Sequence, residues 1–124
     1  MPLKFFSRFL KSLGFAFQGV RTFYCTQYNA KIHLWFTLGV TVAGLVAGLS
    51  RTDWALLVLA IGLVWTAEAA NTAIEFLTDL VTTEIHPLAK KVKDVAAGAV
   101  LLATAAAIII GLLVFAPRIW DLIN

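Results

Sequence analysis

From Val95 to Ala116 the chain runs 22 residues without a charged side chain. A helix needs about 20 predominantly apolar residues to cross the ~30 Å hydrocarbon core of a bilayer. Two further apolar stretches precede this one, over about 32–49 and 54–81, so the sequence predicts three spans. Composition points the same way. Of the 124 residues 60% are hydrophobic and 14% charged, too little charge to clothe a soluble domain. In lipid each backbone polar group must bond within its own segment, which makes these runs helices. The expectation is a single all-α membrane domain over residues 1–124.

The connections set the order of the helices. Ser50–Asp53 leaves room only for a tight turn, so the first two spans are antiparallel. Gly44 and Gly48 make a small-residue pair of the kind that brings helices close. Residues 82–93 read as a polar, basic loop in which Pro87 breaks the helix, followed by Lys90, Lys91 and Lys93. Asp94 is placed to cap the third span, and Pro117 to end it, with Trp120 at interface depth.

Residues 3–24 set Lys4, Arg8 and Lys11 against Leu3, Phe5, Phe6, Phe9, Leu10, Leu13, Phe17 and Val20. That pattern is an amphipathic helix lying at the membrane surface. Residues 25–31 read as a polar connection, and the N-terminus does not read as a signal peptide. The lone Cys25 allows no intrachain disulfide. Lys and Arg gather before the first span and between the second and third. The positive-inside rule therefore puts the N-terminus and the 82–93 loop in the cytoplasm and the C-terminus outside. A dispersed net charge of +3 gives no footprint for nucleic acid.

The second span breaks its own apolar character. Glu68, Asn71, Glu75 and Asp79 stand at i, i+3, i+7 and i+11, within about 80° on one helical face. Acids inside a span are costly, and they mark a functional site. In the predicted orientation they approach the cytoplasmic rim where Lys93 also lies. Carboxylates beside a lysine can hold a divalent cation and a polyphosphate together, as phosphoryl transfer requires. Glu68, the deepest, is the candidate general base; Glu75 and Asp79 are candidate metal or nucleotide contacts, and Lys93 a cation for phosphate. The chain has no Walker motif or glycine-rich phosphate loop. An ion or proton path and polar glue between helices fit the same stripe. His33, at the start of the first span, suits an interfacial or hydrogen-bonded role better than metal ligation. Three helices cannot enclose the stripe completely, which favours a homo-oligomer.

The stretch Glu-Ala-Ala-Asn-Thr-Ala-Ile-Glu-Phe-Leu-Thr-Asp (68–79), with His-Pro-Leu-Ala-Lys-Lys-Val-Lys-Asp (86–94), resembles the small bacterial integral-membrane diacylglycerol kinases, which include the undecaprenol kinases. Arg8–Gly14, Gly19 and Arg21 are similar to that family's surface helix. The resemblance implies a homotrimer, each subunit with three spans and a surface helix, moving the γ-phosphate of Mg-ATP to a lipid hydroxyl. By the same resemblance Glu68 is the catalytic base, Asn71 its polar supporter and Glu75 a metal ligand. Arg8, Lys93 and Asp94 match ATP-contacting positions, Asp79 supports the site, and Glu84 and His86 fall in a nucleotide-contacting stretch. One position departs. Where the family usually carries a second metal-binding glutamate, this chain has Gln27, which offers an oxygen but no charge. The 86–94 segment resembles the undecaprenol kinase branch more than the diacylglycerol kinase branch.

Overall fold

A computed structural model describes the backbone of residues 2–124 and the side chains from Lys4 onward, so Leu3's place on the apolar face lies outside the described side chains. The chain forms four α-helices: α1 (Pro2–Thr26), α2 (Tyr28–Ala47), α3 (Arg51–Val81) and α4 (Pro87–Ile123). Of these, α2, α3 and α4 are long and apolar enough to cross a membrane. At 1.5 Å per residue, α3 with its 31 residues is about 46 Å long and α4 with 37 about 55 Å. Both exceed the hydrocarbon thickness, so their ends reach polar surroundings.

The main packing is α3 against α4, with α1 and α2 laid more lightly on them. The buried ridge of α3 runs through Leu57, Ala60, Val64, Glu68 and Thr72, and α4 meets it with Ala96, Ala103 and Val114. This ridge follows the 3.6-residue period and turns from apolar to polar at Glu68. Elsewhere large apolar side chains such as Leu101, Leu102, Ile109 and Leu113 stay exposed, as lipid-facing surfaces require.

Four local expectations are corrected. Pro87 starts α4 at its first position, where the missing N–H has no intrahelical partner to lose. The connection after α3 therefore shrinks to residues 82–86, and Lys90, Lys91, Lys93 and Asp94 all sit in α4. Asp94 is not a cap; His86 is, its Nδ1 accepting the Leu88 N–H at 3.1 Å. Pro117 does not end the helix either. Its ring fits helical φ, and Arg118, the next residue, is tied to Asp53 at 3.1 Å, so α4 continues to Ile123. The 25–31 connection reduces to Gln27, whose extended backbone (φ −105°, ψ 122°) separates α1 from α2.

The glycine pair also splits in two. A Cβ on Gly44 would come within 2.8 Å of the Trp54 ring, so Gly44 does serve close approach. Gly48 instead ends α2 at φ +63°, a left-handed conformation that glycine adopts without strain. Ser50 then starts α3 through a capping box with Asp53. The turn is tight because each of its residues does one job.

Candidate active site

The turn fixes which residues of α2 and α3 share a level. His33 lies 17 residues before Ser50 and Glu68 lies 18 after it, so both are about 26 Å from the turn. They meet: His33 Nε2 is 2.8 Å from Glu68 Oε1. Glu68 is only 4% exposed, and burial of that kind is tolerated by an acid only with a partner. One turn nearer Ser50, Trp65 Nε1 donates to Thr37 Oγ1 at 3.0 Å, and Thr37 donates to the His33 carbonyl at 2.7 Å. Phe23 of α1 sets its ring edge-on to Trp65, centroids 6.0 Å apart, which brings the end of α1 beside this level. His33, Thr37 and Trp65 also line a cavity of about 320 Å³ whose other walls, Thr104 apart, are apolar residues of α2, α3 and α4.

Farther along α3, the Asn71 amide donates to Glu75 Oε1 at 2.9 Å rather than to Glu68. Asn71 Oδ1 is buried with no hydrogen-bond partner. An unpaired carbonyl oxygen beside a carboxylate is a donor set that suits a hard cation such as Mg²⁺. Among the described residues no three His, Cys, Asp or Glu side chains converge. The residues thus fit an ion held by one or two protein oxygens with phosphate oxygens completing its shell, the usual manner for Mg²⁺. Asp79 turns to α4, its Oδ1 2.6 Å from Lys93 Nζ. The other buried polar groups of the ridge serve the helix itself: Thr72 bonds the Glu68 carbonyl and Thr78 the Ile74 carbonyl.

The stripe is therefore divided into three pairings, Glu68 with His33 of α2, Asn71 with Glu75, and Asp79 with Lys93 of α4. Asp94 pairs with Lys90 one turn away at 2.5 Å. Glu84, His86 and Arg8 are exposed, and Gln27 is half-buried at the α1–α2 break, one turn beyond Phe23.

A family model for prokaryotic diacylglycerol kinase matches residues 14–115. The chain belongs to that family. It is 40% identical over 113 residues to an undecaprenol kinase of Bacillus subtilis, covering 91% of this chain and 92% of that one. It is also 40% identical over 114 residues to a diacylglycerol kinase of Synechocystis, covering 91% and 65%. The diacylglycerol kinase of Escherichia coli is 28% identical over 104 residues, covering 84% and 85%. As a member of the prokaryotic diacylglycerol kinase family the chain is a lipid kinase, and its three apolar helices mark a bacterial membrane protein.

Within this family member, Gln27, Glu68, Asn71, Glu75, Asp79, Glu84, His86, Lys93 and Asp94 lie in the matched segment, and Arg8 lies before it. Sequence periodicity found the stripe but not its partner His33, 35 residues away. The signal was present in the register. Once Ser50–Asp53 is read as a tight turn, residues equally far from it on the two helices share a level, and His33 is the titratable α2 side chain at the level of Glu68.

Proposed function

We propose that this lipid kinase transfers the γ-phosphate of ATP to the terminal hydroxyl of undecaprenol, with diacylglycerol as the alternative acceptor. One observation carries the reading: a buried carboxylate, Glu68, stands on the same helix face as a nucleotide-suited rim of Asn71, Glu75, Asp79 and Lys93. With Trp54 at the outer boundary, Glu68 lies about 21 Å into the bilayer, Glu75 about 31 Å and Asp79 about 37 Å. The base then sits inside the hydrocarbon, where a lipid hydroxyl can reach it, and the ATP-suited groups stand at the cytoplasmic edge. The apolar cavity beside His33 suits the hydrocarbon tail of the acceptor.

In the reaction Glu68 takes the proton from the lipid hydroxyl. The hydroxyl oxygen forms a bond to the γ-phosphorus, and the bond from that phosphorus to the bridging oxygen breaks, its electron pair leaving with ADP. Arg8, Lys93 and Asp94 contact the nucleotide, Lys93 supplying positive charge, with Asp79 holding Lys93 and Glu84 and His86 flanking. Glu75 would hold Mg²⁺, with Asn71 Oδ1 and, less strongly for want of charge, Gln27. The ion supplies neutralisation of phosphate charge when bound. The chain is a single domain, with α1 as the surface helix lying on anionic headgroups. The N-terminus and the α3–α4 connection are cytoplasmic and the C-terminus outside. Three copies form the working unit in the bacterial plasma membrane. The 86–94 segment and the undecaprenol kinase relative, matched over 92% of its length, support undecaprenol as the acceptor.

The test is transfer of label from γ-labelled ATP in vesicles containing undecaprenol or diacylglycerol. Label is expected on undecaprenol first, and Glu68→Gln is expected to lower kcat by at least about 10²-fold while the protein stays folded. No label on either lipid overturns the reading, and full activity in Glu68→Gln overturns the assignment of the base.

A further inference from the structure

We infer that His33 is a positioning residue for Glu68: its imidazole, anchored on α2, fixes the carboxylate so that one oxygen is held and the other is left for the lipid hydroxyl. The inference rests on the reading of Glu68 as the base. A base that accepts a proton is ionised, and an ionised carboxylate has no hydrogen to donate. The 2.8 Å contact is therefore a bond from His33 Nε2–H to Glu68 Oε1, and Oε2 is the oxygen that takes the hydroxyl proton.

The neighbouring contacts tie the part of α2 that carries His33 to α3. Among the described residues, α2 and α3 are joined by two side-chain hydrogen bonds, His33–Glu68 and Trp65–Thr37, about one helical turn apart on each helix. Thr37 connects them directly, accepting from Trp65 and donating to the carbonyl of His33. Phe23 braces Trp65 from α1. Three helices thus converge on the Trp65 ring, about one turn from His33, although α1 and α2 otherwise touch the α3–α4 pair lightly. A glutamate has three rotatable side-chain bonds, and displacement of a catalytic group by about 1 Å can lower a rate by about 10²-fold. Polar glue between helices would not need an acid with an oxygen to spare.

The test compares His33→Phe and His33→Gln with the wild type in the vesicle assay, with kcat, both KM values and thermal unfolding measured together. His33→Phe is expected to lower kcat by about 10²-fold with the KM values for ATP and lipid within about twofold. His33→Gln, whose amide N–H can reach the same oxygen, is expected to return kcat to within about tenfold of the wild type. Unchanged kcat in folded His33→Phe overturns the inference and leaves the kinase reading standing. A loss confined to thermal stability, or a loss that His33→Gln does not repair, also overturns it. Absence of transfer by the wild type overturns the kinase reading, and this inference with it.

Discussion

The two ends of α3 both carry carboxylates, and they use them differently. At the first turn, Asp53 Oδ2 accepts from the Ser50 N–H at 3.1 Å, the Ser50 hydroxyl at 2.8 Å and Arg118 at 3.1 Å, while the Asp53 N–H returns a bond to Ser50. Every one of these bonds closes a turn or ties α3 to the end of α4. At the other end, Glu68 has one oxygen engaged by a side chain, Asn71 keeps a buried carbonyl oxygen without a partner, and Asp79 holds a lysine that remains 42% exposed. A carboxylate whose bonds all close the fold is structural. Asp53 also has an oxygen to spare, Oδ1, but at the more open end of the helix; spare polar capacity buried at a fixed place in an apolar bundle is what a substrate can use.

The distinction is sharpest at the lysine. The Lys93–Asp79 pair is solvent-exposed on both sides, and such a pair contributes no more than about 1 kcal/mol to stability. Its removal should therefore leave the fold alone and injure the reaction. Lys93→Met is expected to lower kcat/KM for ATP by about 10²-fold, the usual loss for one cation or donor on a transferring phosphate, with Tm unchanged. An equal fall in Tm and activity would place Lys93 with Asp53 on the structural side and break the contrast.

Asp53→Ala is the converse experiment. It removes three accepted hydrogen bonds, the one from Arg118 among them, at the end distant from Glu68. Thermal unfolding should come at a lower temperature than in any single variant of the other end, while kcat per folded molecule holds within about twofold, as expected for sites far apart with no shared partner. A loss of kcat that survives correction for the folded fraction would show that the two ends are coupled.

How much of this was legible follows from the range of each signal. Apolar run length and the 3.6-residue period are local, and they gave the three spans and the face shared by Glu68, Asn71, Glu75 and Asp79. The pairing of its two ends is set by α2 and α4 and has no local signature; His33 is 35 residues from Glu68, and Lys93 14 from Asp79. The prolines misled for a physical reason. Proline forbids a helix before it more than after it, so Pro87 marks a start, and at Pro117 the flanking Arg118–Asp53 tie keeps a helix that the isolated segment would have given up. Gly48 and Gly44 share a spacing yet differ in role because only the packed bundle distinguishes a turn from a contact.

The smallest expected effect isolates the cap from the ion pair. Ser50→Ala deletes the hydroxyl that accepts the Asp53 N–H and donates to its carboxylate, but it leaves Arg118 and the Ser50 backbone N–H in place. Loss of one N-cap hydroxyl destabilises a helix by about 1 kcal/mol, so Ser50→Ala should unfold at a slightly lower temperature than the wild type and clearly above Asp53→Ala. The ordering carries the information. If Ser50→Ala falls as far as Asp53→Ala, the capping box alone holds this end and the Arg118 contact adds nothing measurable. If it falls less, the two bonds that Ser50→Ala spares, from the Ser50 N–H and from Arg118 at the end of α4, stabilise this end separately from the cap hydroxyl.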